Sequence, residues 1–302
     1  MSIELLALDG GQSGMRTLLQ GAEGTHMGPE FAGIRSDQPL LPQLRDIVLN
    51  TLDGQRADTV ALGVSGLGPH DTARQLLDLL DDAADSVLLA HDSTTSYLGA
   101  LGPRQGAVVA SGTGAVTLAV GPTTVARVDG WGHLLGDDGS GFWIGRQALS
   151  AVLRAHDHRG GPTLLTQYAV EEFGDLSQLY LQIQADPNRV ARIASWARRV
   201  SELAPSDEVC GAISTDAGRL LAHSAAAGLR SVDAEPLFST LGNVFRNPLV
   251  ASSFEDHLTD SVPGVRVVEA AGSGLEGAAT LPLVAPGSAL DALVDRAPRM
   301  RA

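Results

Sequence analysis

The sequence predicts an α/β protein of two similar domains, and three observations carry the prediction. A chain of 302 residues exceeds one ordinary core, since single cores rarely grow far past roughly 250 residues. Apolar strands alternate with helical segments through its first third. A strand that breaks at a glycine-rich turn and resumes as another strand occurs twice, roughly a hundred residues apart, as in a duplicated architecture.

In chain order, the apolar run Ile3–Leu8 reaches Asp9-Gly10-Gly11, turns through Gln12-Ser13-Gly14 and returns as Thr17–Leu19, a hairpin pattern. Leu40, Leu41, Leu44, Ile47, Val48 and Leu52 follow the helical period, and Thr59–Val64 reads as a buried strand ended by Ser65-Gly66-Leu67-Gly68. Asp71–Leu80 and Ser93–Leu101 read as helices on either side of the strand Ser86–Leu89. After Gly102-Pro103 the opening pattern returns: Ala107–Ala110, then Ser111-Gly112-Thr113-Gly114, then Val116–Val120. From Ser140 to Ala226 the chain reads as largely helical, with amphipathic spacing at Val190–Leu203 and Ala212–Leu221. The strands Leu237–Leu241 and Val265–Val268 each run into a glycine turn, Gly242-Asn243 and Gly272-Ser273-Gly274, with a helix expected after each. Ser288–Val294 is expected as a short closing helix. The expected domains are 1–103 with 284–302, and 104–283, with a ligand cleft between them.

Composition narrows the function classes. A net charge of -14 opposes attraction to nucleic-acid phosphates or an anionic membrane, so neither is an expected partner. An anionic ligand would need a local trap of backbone N–H groups, helix N-termini or a metal ion. Cys210 is the single cysteine, which excludes an intramolecular disulfide and a cysteine-rich metal or iron–sulfur site within one chain, and fits a reducing cytoplasm. Met1–Leu8 leads straight into a strand without a basic stretch and long apolar run, so secretion and membrane insertion are not expected.

Four segments carry candidate chemistry. Glycines at Gly10 and Gly11 permit positive φ and close approach of backbone N–H groups to phosphate, and Asp9 at the strand end can hold a hydrated magnesium ion; an ordinary tight turn is the alternative. Gly112, Thr113 and Gly114 occupy the equivalent turn of the second half, so two glycine turns could grip one polyphosphate. Asp92, between a strand and a helix, is placed either to accept a proton from a hydroxyl attacking a γ-phosphate or to cap the helix. The stretch from Gly130-Trp131-Gly132 to Gly136-Asp137-Asp138-Gly139-Ser140-Gly141 lacks amphipathic period and reads as a shaped loop ending in a helix start at Ser140. Its aromatic body and carboxylates are the types that bind sugars, with an acidic solvent loop anchored by Trp131 as the alternative. His133, His156 and His158 are scattered rather than spaced as metal ligands.

These segments, above all Gly130-Trp131-Gly132 with Gly136-Asp137-Asp138-Gly139-Ser140, resemble the N-acetylglucosamine kinase and BadF/BadG/BcrA/BcrD ATPase family of the actin, sugar kinase and Hsp70 superfamily. The resemblance implies two actin-like (RNase H-like) domains with nucleotide and sugar between them. Position by position it implies phosphate contacts from Gly10, Gly11, Gln12, Ser13, Gly112, Thr113 and Gly114, and magnesium placed by Asp9 through water. It further implies Asp92 as catalytic base, sugar contacts from Ser65, Gly130, Trp131, Gly132 and Asp137, and an adenosine turn at Gly242 and Asn243, with Gly272-Ser273-Gly274 the weaker candidate. Gln12 and Ser13 stand where the family has a third glycine and a threonine. The asparagine that the kinases place on the sugar has no counterpart in Thr25-His26-Met27-Gly28-Pro29-Glu30, and the cysteines of the iron–sulfur branch are absent. The implied activity is ATP- and magnesium-dependent phosphorylation of an amino sugar, N-acetylglucosamine or glucosamine, at the 6-hydroxyl. A nucleotide-binding sensor or ATPase without sugar chemistry is the alternative. The implied partner is a small sugar, and a homodimer is compatible with the reading.

Overall fold

The computed structural model describes residues 3–11, 14–35 and 37–299. It contains β1 (Ile3–Gly10), β2 (Met15–Gly21), β3 (Gly24–Phe31), α1 (Leu40–Leu52), β4 (Ala57–Val64), α2 (Ala73–Leu79), β5 (Ala84–His91) and α3 (Asp92–Leu101). There follow β6 (Gly106–Ser111), β7 (Ala115–Val120), β8 (Val125–Asp129), α4 (Gly141–His156), α5 (Leu165–Phe173), α6 (Leu179–Ala185), α7 (Arg189–Leu203) and α8 (Glu208–Ser231). The chain closes with β9 (Leu237–Leu241), α9 (Pro248–Ser261), β10 (Arg266–Val268), α10 (Gly274–Thr280) and β11 (Val294–Pro298). Among the described residues no helix is long and apolar enough to cross a membrane.

Two compact units result, Met1–Gln105 with Val120–Val125 and Glu269–Ala302, and Gly106–Ala119 with Ala126–Val268. The first sheet runs β3-β2-β1-β4-β5-β11 and the second β8-β7-β6-β9-β10. Apart from β11 these are the same order, with β6 in the place of β1 and β9 in that of β4. In both, the central strand pairs in parallel with the next, β1 with β4 and β6 with β9. The repeated glycine turn thus marks a repeated sheet.

In the first unit Leu6, Leu8, Val60 and Leu62 are fully buried. The α1 face beside them carries Leu40, Leu41, Leu44, Ile47, Val48 and Leu52, the positions its sequence period picks out. Each such side chain contributes roughly 1.5–3 kcal/mol on burial. Helix α2 begins with a reciprocal capping box between Thr72 and Gln75. In the second unit α8 packs on β6, α4 and α7 pack on each other and on α8, and one core joins them around Phe142, Leu149, Trp196, Leu221, Phe238 and Phe254.

Several elements differ from expectation. The closing helix expected over 288–294 is a single 3-10 turn, Asp291–Leu293, and Val294 begins β11, which pairs antiparallel with β5. The β3 and β8 segments lack the apolar alternation of a half-buried strand, and both lie at sheet edges. Residues 269–283, expected with the second domain, fall in the first unit, because α10 packs on α3. Glycine makes that approach possible: a side chain at Gly99 would collide with the Ser273 carbonyl, and one at Gly277 with the Thr95 carbonyl.

Candidate functional site

In the first unit the candidate residues gather where β1, β4 and β5 end. The Gly11 amide donates to the Gly14 carbonyl (3.0 Å), closing the turn after β1. Neither Gly10 nor Gly11 adopts positive φ, so the expected left-handed backbone is not what selects them. Space is the requirement at Gly10, where a Cβ would lie 3.1 Å from Val64 Cγ1 and 3.2 Å from Leu8 Cδ2. Gln12 and Ser13 lie outside the described residues. Ser65, just past β4, donates its amide to the Gly10 carbonyl (2.9 Å), which ties it to the same edge.

Asp9 and Arg16 face each other across β1 and β2, and Arg16 Nη2 donates to Asp9 Oδ2 at 2.6 Å. The carboxylate also lies on the start of α10, where a Cβ at Gly274 would come within 2.8 Å of Asp9 Oδ1. Burial raises the Asp9 pKa, Arg16 opposes it, and the charges of Asp92 and Glu276 push it further up. Asp9, Arg16, Asp92 and Glu276 therefore form one electrostatic cluster.

Asp92 is the first residue of α3, and the cap is His91, whose Nδ1 accepts the Ser93 amide at 3.2 Å. The helix-cap alternative for Asp92 thus fails. His91 Nδ1 lies 2.7 Å from Asp92 Oδ1, an oxygen buried from solvent. Nδ1 is taken by the Ser93 amide, and Asp92 Oδ1 has no hydrogen-bond partner among the described residues. A third of the Asp92 side chain remains exposed (34%).

In the second unit the turn after β6 is closed by the Gly112 amide on the Gly114 carbonyl (2.9 Å). The carbonyls of Gly112 and Thr113 accept from the first amides of α4, Gly141 (2.8 Å) and Phe142 (3.0 Å). Gly112 and Thr113 stay exposed. Neither Gly112 nor Gly114 has positive φ, and Gly114 is small because the Asp137 carboxylate lies on it, 2.8 Å from where its Cβ would be.

Asp137 is 8% exposed and lies on Gly114 with the Ala115 and Gly132 backbone close by, so it sits between the glycine turn and the Gly130–Gly139 loop. Its pKa is raised by burial first and by Asp129 second, against the pull of the Ala115 and Gly132 backbone and the nearby His133. Asp129 accepts the amides of Asp137 (2.8 Å) and Asp138 (2.9 Å). Both Asp129 (φ 60°) and Asp137 (φ 59°) are left-handed, a strain of about 1–3 kcal/mol each that surrounding contacts must hold. Gly130 and Gly132 are left-handed as well. Ser140 caps α4 by accepting the Trp143 amide (3.1 Å), as expected.

Trp131 is 71% exposed, which removes the packing-anchor alternative, and Leu134 and Leu135 are more exposed still. His133 rests on Phe142 with ring centroids 4.8 Å apart. Among the described residues no group of three or more His, Cys, Asp or Glu could hold a metal. Gly242 (φ 102°) follows β9 beside Ser111, whose carbonyl would collide with any side chain there. Asn243 opens the next turn, and the Ser111 hydroxyl is buried without a partner among the described residues. Gly272-Ser273-Gly274 lies instead in the first unit, against α3. Sequence reasoning missed Arg16, His91 and Asp129. Only their positions, opposite Asp9 in the hairpin and immediately before Asp92 and Gly130, could have flagged them.

Two sheets of like strand order give the chain the actin-like fold that it shares with solved sugar kinases. A solved structure from Chromobacterium violaceum, provisionally named N-acetylglucosamine kinase, superposes with a TM-score of 0.72 at 26% identity, covering 94% of this chain and 99% of that one. The chain belongs to the BadF/BadG/BcrA/BcrD ATPase family, whose pattern it matches over residues 26–281. It is 29% identical over 204 residues to N-acetyl-D-glucosamine kinase of Dictyostelium discoideum, 61% of each chain. It is 29% identical over 114 residues to N-acetylmuramic acid/N-acetylglucosamine kinase of Clostridium acetobutylicum, 37% of each. The chain thus matches less than two thirds of the length of either relative.

Proposed function

We propose that the protein transfers the γ-phosphoryl group of ATP to the 6-hydroxyl of an amino sugar, N-acetylglucosamine or glucosamine. The observation that carries the reading is the Asp137 carboxylate, buried between the Gly114 turn and the Gly132 loop. A carboxylate so held can accept from sugar hydroxyls while keeping a phosphate-type turn and a sugar-type loop in register. The names of the relatives support the same substrate class.

In this reading Asp92 takes the proton of the attacking hydroxyl, and a partly exposed carboxylate at a strand end suits that task. The amides of Gly10, Gly11, Gly112, Thr113 and Gly114 stabilise phosphate charge. Ser65, Gly130, Trp131 and Gly132 contact the sugar, with the exposed indole as its apolar platform. Gly242 and Asn243 take the adenosine. Magnesium would neutralise charge on the polyphosphate when bound. Asp9 at the end of β1 fits a magnesium ion that phosphates and water would hold, with the carboxylate reaching it through water.

Incubation with ATP, magnesium and a sugar panel should give ADP release that depends on an amino sugar. ATP hydrolysis indifferent to every sugar would favour an ATPase or nucleotide sensor instead.

A further inference from the structure

We propose that Arg16 is a phosphate-binding residue of the first glycine hairpin, oriented for that task by Asp9. The inference rests on the functional reading above and adds a residue to it.

The charges of Asp92 and Glu276 both act on Asp9 at this edge of the first unit, and the chain as a whole carries -14. A polyphosphate entering such a field needs a fixed positive charge close by. Arg16 is the cation that acts on both Asp9 and Glu276. It stands on β2, one residue past Met15, the partner of Gly10, so it flanks the glycine turn. Its guanidinium gives one N–H to Asp9 Oδ2 (2.6 Å) and, among the described residues, makes no other hydrogen bond. Arginine carries five N–H donors, so four remain, and the side chain is 44% exposed. A guanidinium held at one end by a partly buried carboxylate keeps a defined direction, and its remaining fork matches two phosphate oxygens.

A simple cross-strand ion pair makes a different prediction. Half-exposed pairs contribute little, so deleting one should leave ligand binding alone. The role proposed here ties Arg16 to phosphate and not to the nucleoside.

Calorimetric titration of the whole protein with adenosine, ADP and ATP, each with and without magnesium, separates the two. Arg16→Gln should weaken ATP binding by about tenfold to a hundredfold, the usual effect of losing a charged hydrogen bond. Adenosine affinity should stay within about twofold, and Arg16→Lys, which keeps the charge but not the fork, should fall between. Thermal unfolding of each variant checks that it folds. Unchanged ATP affinity in Arg16→Gln, or equal losses for ATP and adenosine, would overturn the inference while the functional reading stood. A parent protein that takes up no nucleotide would overturn both.

Discussion

The two sheets share one strand order but differ in what stands at the strand ends. In the first unit the ends carry side-chain chemistry: Asp9 on β1, Ser65 after β4, Asp92 after β5. In the second the equivalent ends after β6 and β9 carry Ser111-Gly112 and Gly242, which present backbone. Its carboxylate, Asp137, arrives from a loop instead. Asp9 is balanced by the Arg16 guanidinium, Asp137 by nearby backbone and an aspartate-clamped turn. A duplicated scaffold has been divided: in the proposed reaction the first unit supplies the charged side chains, the proton acceptor among them, and the second supplies chiefly backbone and the Asp137 loop.

The division can be broken one side at a time. Asp92→Asn should produce the largest effect, a fall in kcat of about a hundredfold or more with nucleotide affinity retained, measured by coupled assay and calorimetry. Near-normal turnover in that variant would remove the base from the first unit. Asp137→Ala should raise the sugar KM by about tenfold to a hundredfold, since a buried charged acceptor is lost, while adenosine binding persists.

Asp129→Asn offers a finer cut. Only one of its two side-chain acceptors survives, so the left-handed Asp137 turn loses a hydrogen bond. Sugar KM should rise by about fivefold, with a smaller change in kcat, for a lost hydrogen bond worth about 1 kcal/mol net. An equal fall for every substrate would mean that Asp129 supports folding alone.

The smallest effect concerns stability. Burial and Asp129 raise the Asp137 pKa, so the folded chain favours the neutral acid. That contribution is complete below the ordinary aspartate value and is lost as pH rises through the raised one. Asp137→Asn should therefore be more stable than the parent at neutral pH, by roughly 2–4 °C in Tm if the gain is about 1 kcal/mol. The difference should vanish in acid, and a variant less stable than its parent at pH 7 would contradict the sign.

Much of this was legible in the sequence, for identifiable reasons. Apolar period marked α1, and the glycine turns marked the ends of β1 and β6, because burial and tight approach leave compositional traces. Strands β3 and β8 were not legible, since edge strands with few buried residues carry no alternation. The placement of α10 was hidden because Gly99 and Gly277, not a hydrophobic stripe, bring it onto α3. Arg16 and Asp129 escaped because their partners come from strand register and a folded-back loop, neither of which leaves a local pattern.

The central claim is that phosphoryl transfer goes to a sugar oxygen. Phosphorus NMR of the parent protein with ATP, magnesium and N-acetylglucosamine, repeated with glucosamine, tests it directly. A sugar 6-phosphomonoester appearing in step with ADP is the predicted result. ADP accompanied by inorganic phosphate alone, with either sugar, would contradict it.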